Sequence, residues 1–310
     1  MKNLKIFLFS FLIVSLSVWG INIWRRNLDY NFDKDNYLTA QLISPEKDVS
    51  DFLKTKLKNL DINAKSAILV LLDKNGKEKI IFQKNINDKL PIASLTKLMA
   101  IAVFIENFDI NQSVRISYRA VNQKEFFGNY KAGEILKAKD LILSSIIESS
   151  NDAVYALAEK SGFVDYFVAL MNLKAKEIGM ENTYFYNPSG IEEDDSKNIN
   201  ISTAEDLSKL AIYFINNSSL LNIISKAESD IFLYNGKFHH KAITNNQFLK
   251  NPYIFNGFRI IGGKTGTEKI AGECLLLILE NQNGDHLISV ILNAQDRFQE
   301  ARKIIGALIN

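Results

Sequence analysis

Apolar and polar positions divide this chain into recognisable segments. Ala67-Ile68-Leu69-Val70-Leu71-Leu72 is an unbroken apolar run and predicts a buried strand. The turn signal Asp73-Lys74-Asn75-Gly76 follows, and Glu78-Lys79-Ile80-Ile81-Phe82 predicts the returning strand. Helical spacing runs from Ser94 to about Glu106, over 140–160 and 164–178, and from Ala204 to Ile215. Gly179, Asn187-Pro188 and Gly190 mark turns. Ile260-Ile261-Gly262-Gly263 reads as a strand ending in glycines. Cys274–Leu279 and His286–Leu292 read as two more, joined by a hairpin at Asn281–Asp285. A helix from about Arg297 closes the chain. Strands near both ends with helices between them predict one α+β domain, its terminal strands sharing a sheet.

The N-terminal pattern is different. Ile6 to Trp24 holds 19 residues without a charge, about 28 Å as a helix, close to the thickness of a bilayer core. Lys2 and Lys5 precede it, and Trp19 and Trp24 suit a membrane interface. No A-x-A cleavage site follows, so residues 1–26 read as an uncleaved anchor, with export as a secreted or periplasmic protein if they are removed. The expected organisation is an anchor at 1–26, a polar linker and first helix at 27–61, and a folded domain at 62–310. The helix would open at Ser44-Pro45-Glu46-Lys47 and end near Leu60.

Composition narrows the chemistry. Over 310 residues, 37 Lys+Arg face 35 Asp+Glu, with 47% hydrophobic and 23% charged residues, the balance of a folded globular protein. Lys2, Lys5, Arg25 and Arg26, with no acidic partner, account for the slight basic excess. The body is therefore not the basic domain of a nucleic-acid binder. Cys274 is the single cysteine, which excludes an intrachain disulfide or a multi-cysteine metal site. His239, His240 and His286 lack the spacing of a zinc enzyme, and no metal is expected.

Three short elements carry candidate chemistry. In Ser94-Leu95-Thr96-Lys97 a hydroxyl stands at a helix start with an amine one turn later on the same face. A neutral lysine there can take the hydroxyl proton and make Ser94 a nucleophile without a histidine. Ser149-Ser150-Asn151 offers a hydroxyl for proton relay and an amide for substrate, or else a helix cap. Lys264-Thr265-Gly266, the only K-T-G in the chain, combines carboxylate-binding groups with a glycine that lets a substrate backbone approach, or is a solvated lysine beside a turn. The ordered triplet S-x-x-K, S-x-N and K-T-G is shared by serine β-lactamases and penicillin-binding proteins.

The chain from about residue 62 resembles the low-molecular-mass penicillin-binding proteins of the serine D-alanyl-D-alanine carboxypeptidase family. Leu90–Met99 is similar to that family's nucleophile segment, and Ser149-Ser150-Asn151-Asp152-Ala153 to its S-G-N-D-A. Gly179-Met180 with Thr183, Phe185, Asn187-Pro188 and Gly190 resembles its G-M-x-x-T-x-F-x-N-P-x-G. Ser202-Thr203-Ala204 with Asp206-Leu207 resembles its S-T-A-x-D-L. Lys264-Thr265-Gly266-Thr267 with Ala271-Gly272 and Cys274-Leu275 resembles its K-T-G-x-T-x-x-A-G-x-C-L, except that Glu268 replaces a threonine, which bears on substrate preference.

The resemblance implies a β-lactamase/transpeptidase-like α+β domain, an antiparallel sheet packed with helices and a helical subdomain. It implies a peptidoglycan stem peptide as substrate and β-lactams as covalent inhibitors, with no cofactor. By resemblance Ser94 is the acyl-forming nucleophile and Lys97 its base. Ser149 and Lys264 pass the proton to the leaving amine, and Asn151 binds the substrate amide. The backbone N–H groups of Ser94 and Thr267 form the oxyanion hole. Thr265, Gly266 and Thr267 line the substrate strand, and Arg297 helps bind the terminal carboxylate. A Lys264 charge near Lys97 would disfavour a second positive charge there. The expected location is a cell membrane with the catalytic domain extracytoplasmic. Three alternatives stay open: a D,D-endopeptidase cutting cross-links, a β-lactamase, and an inactive wall-binding protein. The order S-N-D after the second element differs from the S-D-N of class A β-lactamases. The remaining singled-out residues read plainly: Cys274 as a buried strand residue, His239-His240 on a surface turn or strand edge, and Glu192-Glu193-Asp194-Asp195 as a solvated loop.

Overall fold

The two apolar runs near the ends of the domain become the middle of one sheet. The computed structural model describes residues 55, 57–123, 128–192, 197–251, 254–255 and 257–307. Strands β1 (Ala64–Leu72), β2 (Glu78–Lys84), β9 (Ile254–Phe255), β10 (Phe258–Glu268), β11 (Gly272–Glu280) and β12 (His286–Ala294) assemble in the order β2-β1-β12-β11-β10-β9, every neighbouring pair antiparallel. β1 pairs with β12 from Ala64–Ala294 to Leu72–His286, so the first and last strands of the domain lie side by side as the pattern predicts.

Unbroken apolar runs mean that both faces of this sheet are covered. On one face Ile68, Val70, Cys274, Leu276, Ile278, Ile288, Val290 and Leu292 meet the helical layer. On the other Ala67, Leu69, Leu275, Leu277, Leu279, Leu287 and Ile291 meet Leu57, Ile62 and the last helix, α8 (Arg297–Gly306). Each fully buried Leu or Ile contributes roughly 1.5–3 kcal/mol. Asp296 caps α8 by accepting from the N–H groups of Phe298 and Gln299.

The helical layer is built around α1 (Thr96–Asn107), buried without a break from Thr96 to Phe104. It packs against α3 (Asn151–Lys160) and α4 (Val164–Glu177). The stretch 140–160, expected as one helix, is two: α2 (Ala138–Ile147) and α3. Ser149 sits between them at φ +67° and Ser150 caps α3, its hydroxyl accepting from Ala153 N at 3.2 Å. The cap contributes about 1 kcal/mol and stops the preceding helix from running on. α5 (Ala204–Ile215) and α6 (Ser218–Ile224) follow, and α5 lies against β12 and β1.

Several short elements were not expected from the pattern. They are β3 (Leu90–Pro91) paired with β6 (Ile201–Ser202), β4 (Ser113–Arg115) with β5 (Ile135–Lys137), the hairpin β7 (Glu228–Phe232) and β8 (Phe238–Ile243), and α7 (Gln247–Lys250). The expected anchor at 1–26, the linker and most of the first helix lie outside the described residues. Among the described residues no helix is long and apolar enough to cross a membrane. Leu57, ahead of the expected domain boundary at 62, is 2% exposed and packs into the core.

Candidate active site

Ser94 lies in a 3₁₀ turn, Ala93–Leu95, that runs directly into α1. Ala93 has φ +47°, a strained value for a residue with a side chain. A second turn braces it from behind. A Cβ at Gly190 (φ +88°) would stand 1.9 Å from the carbonyl oxygen of Ala93, so only glycine fits there. Lys97, one helical turn beyond Ser94, is 0% exposed. Its Nζ lies 2.6 Å from Ser94 Oγ, 2.7 Å from Asn151 Oδ1 and 2.8 Å from the carbonyl oxygen of Ser189. This set serves both protonation states of the amine. As an ammonium it donates to all three oxygens. As a neutral amine it donates to Asn151 and Ser189 and accepts from the Ser94 hydroxyl. The proton of Ser94 can therefore cross without any neighbour moving.

The Ser189 carbonyl is held by a loop with its own hydrogen-bond frame. Asn187 Oδ1 accepts from Ser189 N at 3.2 Å and Gly190 N at 2.7 Å. Asn200 Nδ2 donates to the Asn187 carbonyl at 2.9 Å and to Thr96 Oγ1 at 3.0 Å, tying the loop to the nucleophile helix.

Opposite, β10 carries the K-T-G element along the 3₁₀ turn. A Cβ at Gly266 would lie 2.9 Å from Ser94 N, so the glycine allows the strand to run against the nucleophile's own backbone N–H. Lys264 is 2% exposed, and its Nζ donates to Ser149 Oγ at 2.9 Å and to the Thr265 carbonyl at 2.8 Å. Burial holds the Lys264 amine well below its ordinary range, and the charges of Lys97 and Arg297 push it further the same way. The Thr265 hydroxyl donates to Asn245 Oδ1, and Thr267 is exposed at the end of the strand.

The structure thus brings Ser94, Lys97, Ser149, Asn151, Lys264, Thr265, Gly266 and Thr267 into one place. Arg297 stands behind them, 8% exposed. Its guanidinium donates to the carbonyls of Gly266 and Cys274 and to Thr267 Oγ1, and pairs with Glu273 at 3.3 Å. It reaches the cleft through the Thr267 hydroxyl.

One plain reading changes. Glu192 is not in a solvated loop. It is 8% exposed, and its two carboxylate oxygens accept from Ile270 N and Ala271 N, each at 2.7 Å. It therefore clamps the turn after β10 to the loop that carries Ser189. Residues 193–195 of that acidic run lie outside the described residues. His239 and His240 lie on the strand-edge side of their expectation, in β8 of a two-stranded sheet, with side chains 11% and 19% exposed. Cys274 is buried as expected, and burial raises its thiol to about 11. Ser189, Asn200 and Asn245 were absent from the sequence reading, and Glu192 entered it only as part of a solvated loop. One acts through a backbone carbonyl, and for the other three no local spacing marks the role.

An α+β domain with a hydroxyl–amine pair facing a K-T-G strand defines the class of serine acyl-transfer proteins that includes penicillin-binding proteins. A D-alanyl-D-alanine carboxypeptidase of Mycobacterium tuberculosis superposes with a TM-score of 0.70 at 23% identity, over 80% of this chain and 91% of that one. Penicillin-binding protein D2 of Listeria monocytogenes, in an ampicillin-bound form, gives 0.64 at 26% identity over 81% of this chain and 100% of that one. The profile of the D-alanyl-D-alanine carboxypeptidase family matches residues 53–296, and the chain belongs to that family. It is 32% identical over 218 residues to the D-alanyl-D-alanine carboxypeptidase DacF of Bacillus subtilis, covering 68% of this chain and 53% of that protein. It is 28% identical over 220 residues to a D-alanyl-D-alanine endopeptidase of Escherichia coli, covering 70% of this chain and 67% of that one. The matched region spans about half the length of the Bacillus relative.

Proposed function

We propose that the chain is a serine D-Ala-D-Ala carboxypeptidase acting on peptidoglycan stem peptides through an acyl-enzyme on Ser94. The observation that carries this reading is the buried Lys97 amine 2.6 Å from Ser94 Oγ, faced by the Lys264–Ser149 pair. Ser94 Oγ attacks the carbonyl of the penultimate D-Ala while its proton passes to Lys97 Nζ. The N–H groups of Ser94 and Thr267 take the developing oxyanion. Ser149, bonded to Lys264, delivers a proton to the amine of the departing D-Ala. Water then attacks the acyl carbonyl, its proton passing to the Ser149–Lys264 pair that gave one up, while Lys97 returns the proton it took to Ser94 Oγ as the ester bond breaks. Asn151 orients the substrate amide. Thr267 holds the terminal carboxylate with its hydroxyl oriented by Arg297, and Thr265, its own hydroxyl donated to Asn245, lines the strand beside it. β-Lactams, which present a strained amide beside a carboxylate, acylate Ser94 and leave slowly.

Endopeptidase action on a cross-linked dimer is a second reading, favoured by the E. coli relative's endopeptidase name and by the same constellation. Release of D-Ala from a pentapeptide, measured beside cleavage of a cross-linked dimer, separates the two. Rapid turnover of penicillin would instead indicate a β-lactamase, and inertness toward all three a wall-binding protein. We place residues 1–26 in the membrane and the domain outside it, on the strength of the uncharged run Ile6–Trp24. Protease digestion of intact cells or spheroplasts tests this: degradation of the domain supports it, and protection until lysis contradicts it.

A further inference from the structure

A second polar cluster lies beside the Ser149 turn and takes no part in the mechanism above. Its origin is a β-bulge. Ile231 pairs with His240 and Phe232 with Phe238, so His239 is the extra residue of β8. Regular alternation would send adjacent histidines to opposite faces. The bulge re-aims them, and their Nδ1 atoms meet at 2.6 Å. Each remaining nitrogen finds a carboxylate: His239 Nε2 lies 3.2 Å from Glu134 Oε2, and His240 Nε2 lies 2.7 Å from Glu148 Oε1. Tyr130 stacks on His239 at 5.1 Å and stands edge-on to His240 at 5.6 Å.

Counting hydrogens gives the arrangement that satisfies every contact of the pair. An ionised carboxylate only accepts, so each Nε2 carries a hydrogen. The facing Nδ1 atoms need one hydrogen between them. With none, two lone pairs collide; with two, N–H meets N–H. Three hydrogens on four nitrogens leave one positive charge between two carboxylates. A metal does not suit the gap, because two nitrogens on one zinc ion stand about 3.3 Å apart at bond lengths of about 2.0–2.1 Å.

Glu148 is the residue before Ser149. The hydroxyl of Ser144 donates to the same Glu148 oxygen, and the Ser144 carbonyl accepts from Glu148 N and Ser150 N, both at 3.3 Å. The left-handed Ser149 turn is thus suspended from Glu148, and Glu148 from His240. We propose that the His239–His240 pair, sharing one proton, is a positioning unit that holds Ser149 at its working distance from Lys264. This rests on the reading of Ser149 as the proton carrier. The other charged or titratable groups around the pair are Glu134, Tyr130, and Asp140 and Asp152 on the two helices joined by the turn. Glu228 of β7 pairs with Lys241 at 2.7 Å, and Asp230 acts on the same lysine. Burial raises the Tyr130 phenol further above its usual range, so it stays neutral. Burial also raises Asp152 to about 6.

The test uses the full chain with ¹⁵N-labelled histidine, together with kcat and KM for D-Ala release from a pentapeptide and Ser94 labelling by a fluorescent penicillin. One downfield proton resonance coupled to both Nδ1 atoms is expected. His240→Gln retains an N–H toward Glu148 and is expected to stay within about tenfold of the parent, whereas His240→Ala falls about 10- to 100-fold in kcat with KM little changed. Two histidines with no shared Nδ1 proton, or a His240→Gln variant as slow as His240→Ala, would overturn the proposal. An unlabelled but folded parent would instead sink the Ser94 reading, and the histidine spectra would still decide the shared proton.

Discussion

Lys97 and Lys264 are both buried amines at one cleft, yet their surroundings differ. Lys97 lies in a helix and meets three acceptors: a hydroxyl, a side-chain amide and a backbone carbonyl. Lys264 lies on a strand, meets one hydroxyl and its neighbour's carbonyl, and feels two cations. The first setting accepts a proton without rearrangement. The second favours release of one. The comparison teaches that equal burial does not give equal chemistry. On the proposed mechanism, the acceptors within hydrogen-bond reach decide which amine takes the Ser94 proton and which supplies the leaving group.

The largest expected effect removes the hydroxyl that faces Lys97. Ser94→Ala should lower D-Ala release by roughly 10⁴-fold or more while the thermal transition is kept. Lys97→Met comes next, with acylation down about 10²- to 10⁴-fold, the usual range for losing a general base. Lys264→Met sharpens the contrast through stability. The lysine's folded-state affinity for protons is depressed, so the unfolded chain binds more protons below 10.5, and wild-type stability rises with pH up to that value. The variant's melting temperature, measured against wild type, should therefore be most favourable at low pH, with the advantage shrinking as pH rises. A constant difference would contradict this.

Two smaller effects probe the scaffold on either side. Gly190→Ala should destabilise the fold by about 1–3 kcal/mol and slow acylation, because its Cβ meets the Ala93 carbonyl beside the nucleophile. Denaturant unfolding checks the first part and penicillin labelling the second. Glu192→Gln replaces one of two accepting oxygens with a donor facing an N–H, at roughly 1–3 kcal/mol. It should lower kcat more than it raises KM, since the clamp sets the spacing of the Ser189 loop and the β10 turn.

The nucleophile, both lysines and the central strands were legible because each rests on local information. Ser94 and Lys97 are one helical turn apart. The runs at Ala67–Leu72, Cys274–Leu279 and His286–Leu292 are apolar on both faces, as a doubly covered sheet requires. The break at Ser149 was less legible, because apolar residues continue on both sides and only a left-handed serine with its capping neighbour ends the helix. Glu192 looked solvated because its partners, Ile270 N and Ala271 N, lie far along the chain. The histidine pair was hidden by the bulge, since the sequence gives no sign that β8 breaks its alternation. Strands of two or three residues such as β3 and β6 carry too few positions for a period to show.

The most direct test of the account is to incubate the full chain and its Ser94→Ala variant with a fluorescent penicillin and to map the adduct by mass spectrometry. The account predicts one stable covalent label on Ser94, lost slowly, and none on the variant. A folded parent that takes no label, or a variant labelled as well as the parent, would contradict it.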